Sequence, residues 1–142
     1  AVSASESSTA VEPVSAALDA RQLDIEHAFD AAPSWPELVE LMHDNESLLR
    51  DVLALLIREV PRLGRTFQSG LKEGNFSEVR RAVHTLKSNV RHVGLENIGQ
   101  YAQWLEHLAR DQQSDLLTAH MENLVALADA IADWAERTLK TH

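Results

Sequence analysis

The chain has 142 residues, no cysteine, and 22 acidic against 13 basic side chains, which gives a formal net charge of −9. The lack of cysteine excludes disulfides, thiolate catalysis and cysteine-ligated metal, and the acidic balance argues against general nucleic-acid binding. The length and a 44% share of hydrophobic residues predict one globular domain, and no apolar run is long enough to cross a membrane.

The first segment of the chain, residues 1–17, is rich in Ser and Ala and almost without bulky apolar side chains. Such a composition buries too little surface to fold, so the segment is predicted to be a disordered linker, with the folded domain at residues 18–142. The first residue is not Met, from which we expect a fragment of a longer protein or a processed chain. No signal peptide is visible.

From residue 18 onward the apolar residues recur at helical spacing, and no alternating run predicts a strand. A weak first helix is predicted over residues 19–31. A second helix is predicted to begin after Ser34, where Glu37 completes a capping box, and to end near His43.

Four longer amphipathic helices follow, and they predict the fold. Asn45 offers a cap for the first, which is expected to kink at Pro61 and to end at Gly74. Asn75 offers a cap for the second, and the last two are predicted over residues 95–110 and 114–139. Short loops between such helices predict an all-α, antiparallel four-helix bundle with one or two short extra N-terminal helices. A complete bundle buries its own seams, so a monomer is expected.

The helix after Asn75 carries one histidine just beside its apolar seam. The seam residues are Val79, Val83, Leu86, Val90 and Val93. His84 is therefore predicted to face solvent. The polar residues within three, four or seven positions of it, on the same side of the helix, are Arg80, Arg81, Lys87, Ser88 and Arg91. Residues 75–93 hold four cations against one carboxylate, a local charge of +3 that attracts anions.

The residues His84, Leu86, Lys87 and Gly94 resemble the motif of the histidine-containing phosphotransfer (HPt) domains of multistep phosphorelays. In that motif a His is followed by any residue, Leu, Lys and Gly, with a further Gly ten residues after the His. Ser88 stands where the family has its first Gly. The segment Glu73-Gly74-Asn75-Phe76 looks like the family's turn before the active helix, and Leu105-Glu106 with Ala109-Arg110 looks like its next helix. The resemblance covers about residues 37–140.

The resemblance implies that His84 accepts a phosphoryl group from a receiver-domain aspartate and passes it to another receiver. It also points to an acidic or amide residue at the position of Glu106, whose carboxylate would accept a hydrogen bond from Nδ1–H and leave Nε2 as the nucleophile. Lys87 would hold phosphoryl oxygens, and the small Ser88 would allow close approach and donate its hydroxyl proton. For Arg80, Arg81 and Arg91 the expected role is partner binding.

The same resemblance implies a phosphoryl carrier without its own ATP site, because no Gly-rich nucleotide loop is present. No cofactor is expected in the domain, and any Mg²⁺ would belong to the acidic pocket of the partner receiver. The expected setting is cytoplasmic, either free-standing or as the C-terminal module of a hybrid sensor histidine kinase tethered to a membrane. Receiver domains are the expected partners, with neither nucleic acid nor membrane contacted by this segment.

Two other functions are open at this level. The bundle could be a docking module whose basic face binds an acidic protein without chemistry, or the substrate domain of a chemotaxis-type kinase that phosphorylates His84 directly. Glu40 and His43 match the Glu-x-x-His element of di-iron bundles. Because such a site needs a second copy of the element and none is present, a metal site is not predicted.

Overall fold

A computed structural model of the protein describes residues 23–142, which contain six α-helices, one 3₁₀ turn and no strand. The 3₁₀ turn is Ile25–His27, and the helices are α1 (Trp35–Leu41), α2 (Glu46–Lys72), α3 (Phe76–His92), α4 (Glu96–Arg110), α5 (Ser114–Ala119) and α6 (Met121–Thr141). The predicted all-α class is confirmed. The predicted linker at residues 1–17 lies outside the described residues, as do residues 18–22.

The bundle consists of α2, α3, α4 and α6, which run antiparallel to their neighbours. Connections of three residues at 73–75 and 93–95 reverse the chain between α2, α3 and α4. On the other side of α2, Arg50 near its start donates to the backbone oxygen of His142 beyond the end of α6. A Cβ at Gly64 would lie 3.1 Å from that of Ala128, so the middles of α2 and α6 touch closely.

The core between the helices is apolar and tightly closed, because each long helix turns its hydrophobic stripe inward. Its fully buried large side chains include Leu49, Leu53, Leu56, Phe67, Leu86, Ile98, Tyr101, Leu105, Leu124 and Leu127. None of the described helices combines the length and the apolar character needed to cross a membrane.

Helix starts follow the predicted caps. Ser34 and Glu37 form a capping box, in which the Ser34 N–H donates to Glu37 Oε1 at 2.8 Å. The side-chain oxygens of Asn45 and Asn75 each accept the backbone N–H three residues on, at 3.0 and 3.1 Å. These acceptors satisfy N–H groups that have no partner within the first helical turn.

Helices α2 and α3 both end at a glycine in the left-handed region. Gly74 has φ 68° and Gly94 has φ 74°. After each glycine the next N–H returns to a carbonyl five residues back: Asn75 donates to Gly70 at 2.8 Å and Leu95 to Val90 at 3.0 Å. This double-turn motif stops the helix and reverses the chain.

The helix predicted over residues 19–31 is wrong for the part that is described. Residues 23–31 form only the 3₁₀ turn Ile25–His27, and the Asp24 side chain accepts the Glu26 N–H. The segment packs against α6 instead, with the rings of Phe29 and Trp134 stacked 6.1 Å apart. Tertiary packing therefore overrides a weak helical pattern.

The single helix predicted over residues 114–139 is also wrong, because the structure divides it into α5 and α6 at His120. The His120 N–H donates to the carbonyl oxygens of both Leu116 and Leu117, so the last turn of α5 is narrower than a regular α-helical turn. Its ring Nδ1 lies 2.8 Å from the buried Tyr101 hydroxyl. No Pro or Gly marks this break, and the contact between His120 and Tyr101 on α4 accompanies it.

Replacing Gly94 with Ala is expected to destabilise the protein by about 2–4 kcal/mol, because the new Cβ combines left-handed backbone strain with overpacking. That Cβ would lie 2.7 Å from Pro33 Cγ. The matched control is Gly74→Ala, where φ is similarly positive but nothing lies within 4 Å, so only the strain of about 1–2 kcal/mol is expected. Urea unfolding measures both, and equal losses would contradict the packing contribution.

Candidate functional site

His84 lies on the outer surface of α3. The helix buries Val79, Ala82, Val83, Leu86 and Val90 against the rest of the bundle. The ring of His84 lies beside this row of buried residues, and the His84 side chain is 61% exposed. A partner protein therefore reaches the imidazole without any rearrangement of the core.

Glu106 on α4 joins His84 and Lys87 in one hydrogen-bonded group. His84 Nδ1 lies 2.8 Å from Glu106 Oε2, and Lys87 Nζ donates to Glu106 Oε1 at 2.6 Å. The Glu106 and Lys87 side chains are only 12% and 18% exposed. Both carboxylate oxygens thus have hydrogen-bond partners, and the group lies in a partly buried interface between α3 and α4.

The turn at Gly94 brings these residues together. The chain runs from His84 to the end of α3, reverses at Gly94, and returns along α4 to Glu106. Glu106 follows the buried Leu105, so it emerges at the edge of the core, and Lys87 follows the buried Leu86 on the facing helix. Antiparallel helices place these two edges side by side.

The electrostatics of the group determine which His84 nitrogen carries the proton. Burial of the Glu106 carboxyl raises its pKa, but hydrogen bonds from Lys87 and His84 and their charges outweigh burial and lower the pKa below the ordinary 4.5. Glu106 is therefore an anion near neutral pH and accepts only. Nδ1 must donate to it, and Nε2 is the ring nitrogen left for chemistry.

The other predicted site residues are not part of this group. Arg81 forms an ion pair with Glu78 on its own helix. Arg91 donates to Gln103 Oε1 at 2.9 Å. Arg80 and Ser88 are exposed, and within residues 23–142 Arg80 has no hydrogen-bond or ion-pair partner. The roles assigned to all of these side chains stay predictions.

Two residues that hold Arg91 were not predicted from the sequence. Gln103 accepts its hydrogen bond, and Gly99 lets its side chain lie against α4, because a Cβ at Gly99 would approach Arg91 Cγ and Nε to 3.0 Å. A glycine inside an amphipathic helix is a signal for close approach of another group. It could not have indicated which side chain approaches.

One group of side chains in the described part of the chain has metal-ligand geometry, and it is not at the candidate site. Asp24, Glu26 and His27 cluster at the 3₁₀ turn and are all exposed. Neither Glu40 nor His43 belongs to it. Exposed acidic groups of this kind are common without an ion, so the cluster is an ordinary solvated surface.

Comparison with known families identifies the domain. The family model for the Hpt domain matches residues 51–136, which is 86 of the 142 residues and so more than half of the chain. No curated protein and no solved structure gives a significant match. The chain belongs to the Hpt domain family. Domains of this family are phosphocarrier modules, not kinases: they take part in histidine phosphotransfer in phosphorelays and interact with receiver domains.

The lowered pKa of Glu106 predicts a specific pH dependence of stability. A carboxyl whose pKa is lower in the folded protein contributes stability that is fully present above the ordinary value of 4.5 and is lost as pH falls through the lower folded value. Glu106→Gln should therefore cost about 1–3 kcal/mol near neutral pH, and the difference from wild type should shrink below pH 4.5.

The matched control is Glu96→Gln, which changes an exposed glutamate at the start of the same helix that has no hydrogen-bond or ion-pair partner among the described residues, so a smaller cost is expected near neutral pH. Urea unfolding at several pH values measures all three proteins. A Glu106→Gln cost that stays constant down to pH 3 would contradict the assignment.

Proposed function

We propose that this domain is a phosphoryl carrier of a multistep phosphorelay, in which His84 Nε2 accepts a phosphoryl group from a receiver-domain aspartate and passes it to a second receiver. The observation that carries the proposal is the hydrogen-bonded group of His84, Glu106 and Lys87 on an exposed face of α3. A histidine oriented by a partly buried carboxylate and open to solvent is suited to accepting a group from another protein.

In the proposed step, the Nε2 lone pair attacks the phosphorus of the aspartyl phosphate. The N–P bond forms as the bond between phosphorus and the aspartate oxygen breaks, and the receiver aspartate leaves as a carboxylate. The proton on Nδ1 stays in its hydrogen bond to Glu106, which stabilises the positive charge that develops on the ring. Transfer to the second receiver is the reverse step with a new aspartate.

Lys87 and Ser88 would act around the transferred group. Lys87 keeps Glu106 ionised in the free domain, and we infer that its ammonium also attracts the equatorial phosphoryl oxygens as they approach. Ser88 is exposed one turn after His84, where a small side chain leaves room for the receiver backbone and its hydroxyl can donate to a phosphoryl oxygen.

The remaining chemistry would be supplied by the partner. A receiver carries its phosphoryl group in an acidic pocket, and we place the Mg²⁺ that such a pocket binds there and not in this domain. The residues next to His84 fit this division, because Lys87 and the arginines of α3 are cations that repel a metal ion and attract phosphate.

The proposal predicts that His84→Gln abolishes phosphorylation. The domain is incubated with receiver domains phosphorylated by acetyl phosphate, and acid-labile, alkali-stable label is followed on wild type and variant. Label on wild type alone supports the proposal and identifies the residue. Label on both proteins would move the site to another histidine. Label on neither, across several receivers that still bind the domain, would support a docking module.

The substrate-domain alternative needs a separate arm of the same experiment. A chemotaxis-type kinase domain with ATP is used in place of the phosphorylated receiver. Label that reaches wild type from the kinase but from no receiver would replace the proposed relay with direct phosphorylation.

Glu106→Gln is expected to slow phosphoryl transfer by about 10- to 100-fold, because a neutral amide stabilises the developing imidazolium less and holds the ring less firmly. Rapid-quench kinetics under saturating receiver measure the rate. Glu96→Gln, an exposed carboxylate on the same helix, is the charge-matched control and should transfer at the wild-type rate. A Glu106→Gln rate within twofold of wild type would rule out the orienting role.

A further inference from the structure

A groove extends the α3–α4 seam by one turn beyond the phosphoacceptor site. Arg80 lies one turn before His84 on α3, and Arg110 lies one turn after Glu106 on α4. Because the two helices are antiparallel, these two residues lie side by side. There Ser77 and Arg80 face Arg110 across a cavity of about 200 Å³. One helical turn is about 5.4 Å, so a protein that covers His84 also covers this groove.

Partners within the domain distinguish the arginines of α3 and α4. Arg81 pairs with Glu78, Arg91 with Gln103, and Arg110 with both carboxylate oxygens of Asp111 at 3.0 and 3.3 Å. Arg80 has no such partner within residues 23–142 and is exposed. It is the one of these four cations that has neither a hydrogen-bond nor an ion-pair partner among the described residues, whereas Arg91 is held by a neutral amide.

We propose that Arg80 and its groove form a docking subsite that binds an acidic side chain of the receiver beside the phosphoryl-transfer centre, and so select among receivers. The inference rests on the proposed function, since it assumes that a receiver approaches His84. It narrows the expected partner-binding residues from Arg80, Arg81 and Arg91 to Arg80 alone.

Charge complementarity supports an acidic occupant. The chain as a whole has a formal charge of −9, whereas α3 carries four cations and one carboxylate, so an acidic surface is repelled by the chain overall and attracted along α3. A carboxylate at Arg80 forms a directed, charge-assisted pair without breaking an existing one. A receiver with a neutral or basic residue at that point gains nothing or is repelled, and this difference provides selectivity.

The test measures single-turnover transfer from an acetyl phosphate-treated receiver at increasing receiver concentration, using the receiver that labels wild type fastest. Arg80→Gln should raise the half-saturating concentration about 5- to 10-fold while the maximal rate stays within about twofold. Arg80→Lys should recover most of the loss, because it keeps the charge. Arg65→Gln, which removes an exposed charge from α2, is the control and should change neither parameter.

Each outcome decides for or against the subsite. Equal shifts for Arg80→Gln and Arg65→Gln would reduce the effect to net charge and overturn the proposal, as would a shift for Arg81→Gln as large as that for Arg80→Gln. A fall in maximal rate at an unchanged half-saturating concentration would also overturn it. If wild type takes no label from any receiver, the proposed function itself fails. Label on wild type with no Arg80 effect removes the subsite alone.

Discussion

The carboxylate of Glu106 lies at the edge of the core between α3 and α4, and the hydrogen-bonded group that it forms with His84 and Lys87 depends on its being ionised there. Burial alone would favour the protonated acid, which is a weaker acceptor for the Nδ1–H of His84 and carries no negative charge. Lys87 and His84 together reverse that tendency by donating to both oxygens. Three side chains thus fix one another: the lysine sustains the anion, and the anion orients the imidazole.

The rest of the bundle supports this arrangement. The buried stripe of α3 fixes the rotation of the helix about its axis, and this rotation keeps His84 outward and Leu86 inward. Gly94 provides the turn that places α4 beside α3. A larger residue at this position would clash with Pro33. A histidine on a rigid helix can meet a protein partner without the ordering cost of a loop.

The basic surface around His84 is less uniform than its composition indicates. Arg81 is paired with a carboxylate of its own helix, which reduces its net attraction for a partner, and Arg91 is held in place by a neutral amide. Lys87 is committed to Glu106. Arg80, one turn from His84, has no hydrogen-bond or ion-pair partner among the described residues, which is why the proposed docking subsite is centred on it.

The sequence by itself determined the helical class, the helix starts at Ser34, Asn45 and Asn75, and the stops at Gly74 and Gly94, because periodicity, caps and left-handed glycines are local properties. It also identified His84 as exposed, since that follows from its position beside an apolar stripe. Only the tertiary structure showed the break at His120 and the absence of a helix over residues 23–31, and at both places the side chains contact distant residues. The tertiary structure also decided which partner each charged side chain has. Whether a charged side chain pairs with a group on a neighbouring helix depends on how the helices pack, and the spacing of residues along one helix does not determine that.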